Sequence, residues 1–348
     1  MEPYPGAEVG AYRIERKVGE GAFGAVWSGV HQETGERVAL KVLLAAAAAN
    51  QEQVLRFDRE AELLGRVRSP HVARMIGVEI NKSFGVVLIM EFIDGELMSD
   101  LLGAGPIGVD DAVDIGAQIL DGVCDLHAVG IIHRDLKPNN IMLCSRPDGS
   151  RRVVIFDLGL SRLARDAESQ DSTRSLTGSH VALGTLECMA PEQILNARDV
   201  TERSDLYSVG SILYRAVTGK YPFASEDERD LARRKLTIET PEIVVPADAV
   251  AEGFRAVITK ATRRRPAQRY ESAVKMRDDL RALHALAKAR GASRKDARAR
   301  ARAEEAEVPT RMIEARKKPG SALVQIVALV AILFAVLGAF LAWRQRVP

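Results

Sequence analysis

The chain is 348 residues long with 47% hydrophobic and 28% charged residues, an ordinary globular composition that excludes a disordered tail or a small stapled scaffold. Lys and Arg number 49 against 47 Asp and Glu, so the net charge of +2 excludes a polyanion binder of the histone kind, and no nucleic-acid partner is expected. Cys124, Cys144 and Cys188 are odd in number and widely spaced, which excludes a disulfide framework or structural zinc site and suits a reducing cytosol; Met1 to Gly10 has no apolar run of the kind a secretion signal needs.

Tyr12 to Val18, Ala25 to His31 and Arg37 to Leu44 alternate apolar and polar residues between glycine-bearing turns, which predicts a three-strand meander. Between the first two strands lies Gly19-Glu20-Gly21-Ala22-Phe23-Gly24-Ala25-Val26. In a dinucleotide-binding unit this glycine pattern opens a helix. Here a strand follows, so the pattern fits a hairpin whose backbone amides close over phosphates, with a ligand-free glycine-rich hairpin as the alternative. Lys41 ends the apolar run Val38-Ala39-Leu40, where an ammonium is costly without an anionic partner. A helix predicted over Gln51 to Val67 offers one: Phe57, Glu60, Leu64 and Val67 share a face, so Glu60 is a carboxylate inside an apolar stripe. The alternative for Glu60 is a partly exposed rim position. A strand from Val86 to Met90 then leads through Glu91-Phe92-Ile93-Asp94-Gly95, a polar crossover suited to a hinge between lobes.

Further along, an amphipathic helix from about Asp110 to Ala128 stops at Gly130 and is followed by His133-Arg134-Asp135-Leu136-Lys137-Pro138-Asn139-Asn140. The apolar strand Val153-Val154-Ile155-Phe156 then ends in Asp157-Leu158-Gly159. Two acids and an amide thus stand at strand and loop ends. Phosphoryl transfer asks a protein for metal ligands, a carboxylate at the attacking hydroxyl and cations around the phosphates. Asn140 and Asp157 are oxygen donors suited to Mg²⁺, Asp135 is placed to orient a hydroxyl and accept its proton, and Lys137 to neutralise charge on the transferring group.

With these motifs in hand, the sequence resembles the protein kinase superfamily, and within it the eukaryotic-like serine/threonine kinases of bacteria, over about Tyr12 to Leu286. The resemblance implies an α+β, bilobal protein kinase fold: a β-rich N-lobe over about 12–92 and a helical C-lobe over about 93–286, after an N-terminal tail of 1–11. It implies ATP and Mg²⁺, with Mn²⁺ as substitute, and protein substrates. Gly19, Gly21, Gly24, Val26, Ala39, Lys41, Met90, Glu91 and Ile93 would hold ATP, Lys41 pairing with Glu60. Asp135 and Lys137 would act on the hydroxyl and the phosphoryl group, with Asn140 and Asp157 on the metal. Ala190-Pro191-Glu192 matches the end of an activation segment, Asp205 the acidic anchor of the next buried helix, and Arg269 the partner of Glu192. Lys137 together with Thr185 resembles the serine/threonine class. Arg134 would bind a phosphorylated residue of the activation segment, for which Thr177 and Ser179 are the favoured positions, and autophosphorylation implies self-association. Two departures stand out: Asp157-Leu158-Gly159 replaces the commoner Asp-Phe-Gly, and Glu187-Cys188-Met189 is an unusual approach to Ala190, in the stretch that docks substrate. Cys188 is a candidate solvent-reachable thiol, with an inert small side chain as the alternative. Two other readings stay open, a silent pseudokinase scaffold and a small-molecule phosphotransferase.

Beyond the kinase-like region, Lys288 to Arg302 holds seven basic residues against Asp296, so 287–320 reads as a basic linker able to meet anionic lipid. Ser321 to Trp343 then runs 23 residues without a charge, bracketed by Lys317/Lys318 and Arg344/Arg346. At about 1.5 Å rise per residue it covers a hydrocarbon core of about 30 Å, which predicts one transmembrane helix, with a short external tail over 344–348 and the larger domain cytoplasmic.

Overall fold

Strand alternation decides how the first lobe is built. The computed structural model describes residues 2–21, 24–43, 62–81, 83–157, 186–244 and 248–306. Glu60, Thr177, Ser179 and Thr185, and the expected span over 321–343, lie outside them. Two units divide the chain, Met1–Lys288 and Ala289–Pro348; of the second only 289–306 is described, as helix. Among the described residues no helix is long and apolar enough to cross a membrane.

In the first unit, strands β1 (Glu8–Val9), β2 (Tyr12–Gly21), β3 (Gly24–His31), β4 (Arg37–Leu43), β5 (Met75–Asn81) and β6 (Gly85–Glu91) form one antiparallel sheet, ordered β1-β2-β3-β4-β6-β5. The meander extends at both edges beyond the expected three strands. Residues 1–11 are therefore not simply a tail: Glu8 and Val9 pair with Arg13 and Tyr12, and Val9 is fully buried, so its apolar side chain anchors the edge. Ile14, Trp27, Val38, Leu40, Val42, Val87 and Ile89 form the core on one face of the sheet. Because side chains alternate, Ala39 and Lys41 project from the opposite face. Cross-strand register adds Val26 beside Lys41 and Met90 beside Ala39 on that same face. At the tip of the β2–β3 hairpin Gly24 has φ 149°, a conformation open to glycine and strained for other residues.

The second lobe is helical. It holds helices α1 (Met98–Gly103), α2 (Val109–Ala128), α3 (Pro191–Leu195), α4 (Glu202–Thr218), α5 (Glu228–Thr237), α6 (Ala249–Ala261) and α7 (Ala273–Ala306), with α1 and α2 packed on a small sheet of β7 (Glu96–Leu97), β8 (Ile141–Ser145) and β9 (Arg151–Ile155). Its core joins Ile119, Leu120 and Val123 of α2, Leu206, Val209 and Leu213 of α4, Phe254 and Ile258 of α6, and Met276 and Leu280 of α7. The α4–α6 approach is close enough that a Cβ at Gly210 would fall 2.7 Å from Thr262 Cγ2. The basic linker expected from residue 287 begins inside α7, where alanine-rich sequence continues the helix to Ala306.

Candidate active site

β9 carries the first acid into place. His71 accepts from Ile155 N at 2.8 Å through its carbonyl, Ala73 N donates to Ile155 O at 2.8 Å, and His71 Nδ1 lies 2.9 Å from Val153 O. The strand is thus tied to the segment leading into β5. Phe156 N donates to Asn140 O at 3.0 Å, so the chain reaches Asp157 beside the loop that carries Asp135 and Asn140. Asp157 has φ 59°, and its carboxylate receives Lys41 Nζ from β4. Lys41 is 5% exposed, which answers its need for an anion; Glu60, the expected partner, lies outside the described residues.

The loop 133–140 is folded on itself. Lys137 Nζ donates to Asp135 Oδ2 at 2.9 Å, and Asn140 Nδ2 to Asp135 O at 2.8 Å. Committing the Asn140 amide nitrogen leaves its oxygen as the acceptor, and Asp157 keeps a 29% exposed carboxylate. Two hard oxygen donors on adjoining segments are the donor set Mg²⁺ takes when phosphate oxygens complete its shell, so these residues fit that ion.

Arg134 adopts φ 67°, a left-handed conformation costing a non-glycine residue about 1–3 kcal/mol, and the surroundings hold it there. Asp205, at the start of α4 and 1% exposed, accepts from His133 N and Arg134 N, both at 2.9 Å, and lies 2.8 Å from His127 Nε2. On the other side Gln193 Nε2 donates to Arg134 O at 2.8 Å while its Oε1 accepts from Ala190 N at 3.2 Å. One buried glutamine thus joins the 133–140 loop to the start of α3. Arg134's side chain is exposed.

Glu192 is bound by both ends of the Arg269 guanidinium, at 2.7 and 2.8 Å, and by Ser204 Oγ at 2.7 Å. Burial pushes the Glu192 carboxyl up, but Arg269 and Ser204 outweigh it and hold it below its ordinary value. Arg269 also donates to the carbonyls of Arg263, Arg203 and Arg264 and stacks over Tyr207, 4.8 Å from its ring centre.

Cys188 is not solvent-reachable. It is 2% exposed beneath Tyr221, and burial pushes its thiol up to about 11, so the inert alternative describes it. The structure therefore gathers Lys41, Asp135, Lys137, Asn140 and Asp157 at one place, lines the sheet face above them with Val26, Ala39 and Met90, and puts Asp205, Glu192 and Arg269 in the buried support behind. Sequence reasoning missed Gln193, Ser204, His127 and Lys235, whose partners are backbone groups or residues far along the chain. For Lys235 a signal existed: it stands four residues after the buried Leu231, on the apolar side of α5.

Comparison with known proteins places the chain in a family. The protein kinase domain family matches residues 12–279, and the chain belongs to it. Among its relatives, the serine/threonine-protein kinase Pkn1 of Myxococcus xanthus is 35% identical over 282 residues, covering 80% of this chain and 39% of Pkn1. PknL of Mycobacterium tuberculosis is 31% identical over 275 residues, covering 78% of this chain and 65% of PknL. This chain spans 39%, 32% and 50% of the length of three Myxococcus xanthus kinases it matches. In fold it is similar to the Mycobacterium tuberculosis PknI kinase domain, with TM-score 0.59, 22% identity, and coverage of 81% of this chain and 100% of that one. Rad53 in complex with AMP-PNP is similar at TM-score 0.59 and 27% identity, covering 77% of this chain and 64% of that one.

Proposed function

We propose that this chain is a membrane-anchored serine/threonine protein kinase that transfers the γ-phosphoryl group of ATP to protein hydroxyls, its own activation segment included. The observation carrying this reading is the cluster in which Lys137 reaches Asp135 while Asp157 receives Lys41 and Asn140 is fixed alongside. In the reaction a Ser or Thr oxygen bonds to the γ-phosphorus, the bond from that phosphorus to the ADP oxygen breaks, and the hydroxyl proton passes to Asp135. Lys137 stabilises charge on the transferring group, and Lys41 with the glycine hairpin holds the phosphates. Mg²⁺ held by Asn140 and Asp157 would supply neutralisation of phosphate charge. Relatives named serine/threonine-protein kinases support the substrate class.

The uncharged run over 321–343 supports anchoring, and five cations in the twenty residues before it, Arg302, Arg311, Arg316, Lys317 and Lys318, support a cytoplasmic catalytic domain. Arg134 supports control by phosphate on Thr177 or Ser179.

The test is radiolabel transfer from ATP to a generic protein by full-length enzyme in its membrane. Label on Ser and Thr is expected, with Asp135→Asn lowering the rate about 10²-fold or more while keeping the wild-type melting temperature. No protein label from the folded wild type, or an undiminished rate in Asp135→Asn, would overturn the reading. Carbonate washing should leave the full chain in the membrane and release one truncated after Gly320; release of both would refute the anchor. Mass spectrometry of active enzyme should find phosphate within 160–185, and its absence would remove self-phosphorylation.

A further inference from the structure

Leu186 is the last residue of a helical turn, and Glu187, Cys188 and Met189 lead from it into Ala190 outside helix and strand, so the four carbonyls need partners from elsewhere. All four have one. Lys235 Nζ donates to Leu186 O at 3.0 Å, Glu187 O at 2.7 Å and Met189 O at 2.6 Å, and Ser208 Oγ to Cys188 O at 2.9 Å. An ammonium has three protons and these carbonyls take all three. Lys235 is 1% exposed and among the described residues forms no ion pair; beyond the carbonyls it faces the Tyr207 ring at 5.0 Å.

A buried cation without a carboxylate is an expensive way to fill a core, which an apolar side chain of that volume fills better. What an apolar side chain lacks is the ability to turn three carbonyls toward one point. Leu186, Cys188 and Met189 are buried, so Glu187 is the half-buried side chain that this stretch leaves accessible. Its own carbonyl makes the second of the three bonds.

We infer that Lys235, with Ser208, is a positioning residue for peptide substrate: it sets the backbone of Leu186–Met189 and so the docking surface next to the catalytic loop. This rests on the protein kinase reading above. Burial pulls the Lys235 ammonium down to about 7, with the Glu187 and Glu192 carboxylates and Cys188 acting against that fall and Arg269 with it. The three carbonyls also favour the charged form, so the bonds and the charge stand or fall together.

The experiment uses the full-length enzyme, a fluorescent peptide that the wild type selects from a degenerate Ser/Thr library, and two readouts: steady-state kinetics, and equilibrium binding of that peptide with a non-hydrolysable ATP analogue present. Lys235→Met should raise peptide KM and Kd about tenfold while ATP KM changes less than twofold, and Lys235→Arg should restore most of the loss. Ser208→Ala, which removes the fourth bond and not the cation, should raise peptide KM about threefold, and it decides the matter should Lys235→Met not fold. Unchanged peptide KM and Kd in a folded variant, or peptide and ATP KM rising in parallel, overturns the inference. A wild type that binds peptide without phosphorylating it would sink the kinase reading alone, with Lys235 still judged by Kd; one that selects no peptide sinks both.

Discussion

Two of the ion pairs that join distant parts of this chain are built in opposite ways. Arg269 and Glu192 are closed: the guanidinium side chain is fully buried, every direction around it is met by a carboxylate oxygen, a carbonyl or the Tyr207 ring, and Glu192 has Ser204 besides. Lys41 and Asp157 are open: the lysine is buried, but the carboxylate is 29% exposed, at a residue with positive φ. A saturated pair holds structure and has nothing left to offer a ligand. An unsaturated one leaves carboxylate lone pairs for a metal and ammonium protons for a phosphate, at the cost of contributing less to folding.

If that contrast is right, the two pairs fail differently. The largest effect belongs to the open pair: Lys41→Met or Asp157→Asn should lower the rate of phosphoryl transfer about 10²-fold or more, because these groups act chiefly on transition-state charge. The urea midpoint of Lys41→Met, which leaves no buried charge unpaired, should stay near wild type. A large stability loss with the rate preserved in the folded fraction would erase the distinction.

The closed pair should show the reverse. Arg269→Met strands Glu192 as a buried carboxylate and should cost about 3–5 kcal/mol in denaturant unfolding. Because the folded Glu192 carboxyl titrates below its ordinary 4.5, its contribution is complete above that pH and drains away as pH falls through the lower folded value. The wild-type melting temperature should therefore fall more steeply below pH 4.5 than that of Glu192→Gln. Parallel curves would show that the pair is not what acid attacks.

Gln193→Ala sharpens the comparison from between the two. It removes the donor to Arg134 O and the acceptor for Ala190 N, so about 1–3 kcal/mol of stability should go. Turnover should fall several-fold in addition, since Arg134 loses one side of the clamp on its left-handed backbone. Unaltered turnover would mean that Asp205 alone holds the catalytic loop.

The elements that hold the site were unevenly legible. β2, β3 and β4 follow from alternation and α2 from its apolar face and Gly130, because each buries one side against a core, while β6 follows from an unbroken apolar run, Val86 to Ile89, that is buried on both sides. β5 went unread: Met75–Asn81 contains Gly77 and Glu79 and is mostly half-buried, so its pattern is blurred. β1 is two residues, too short for any period. The acids and amides of the site stood out because polar chemistry at the ends of apolar strands is conspicuous in a string of letters.

By itself the sequence determined which groups are available and in what order: the glycine hairpin, Lys41, Asp135, Lys137, Asn140, Asp157 and Glu192, together with the lobes that alternation and helical periodicity build. Only the tertiary structure decided who meets whom. It brought Lys41 to Asp157, 116 residues away, and set Asp205 beneath two backbone amides. It also turned Gln193 and Lys235 inward to carbonyls. A side chain that binds backbone leaves no complementary residue to be noticed, since every residue carries a carbonyl and an amide; which of them needs a partner is settled when the chain folds and water leaves.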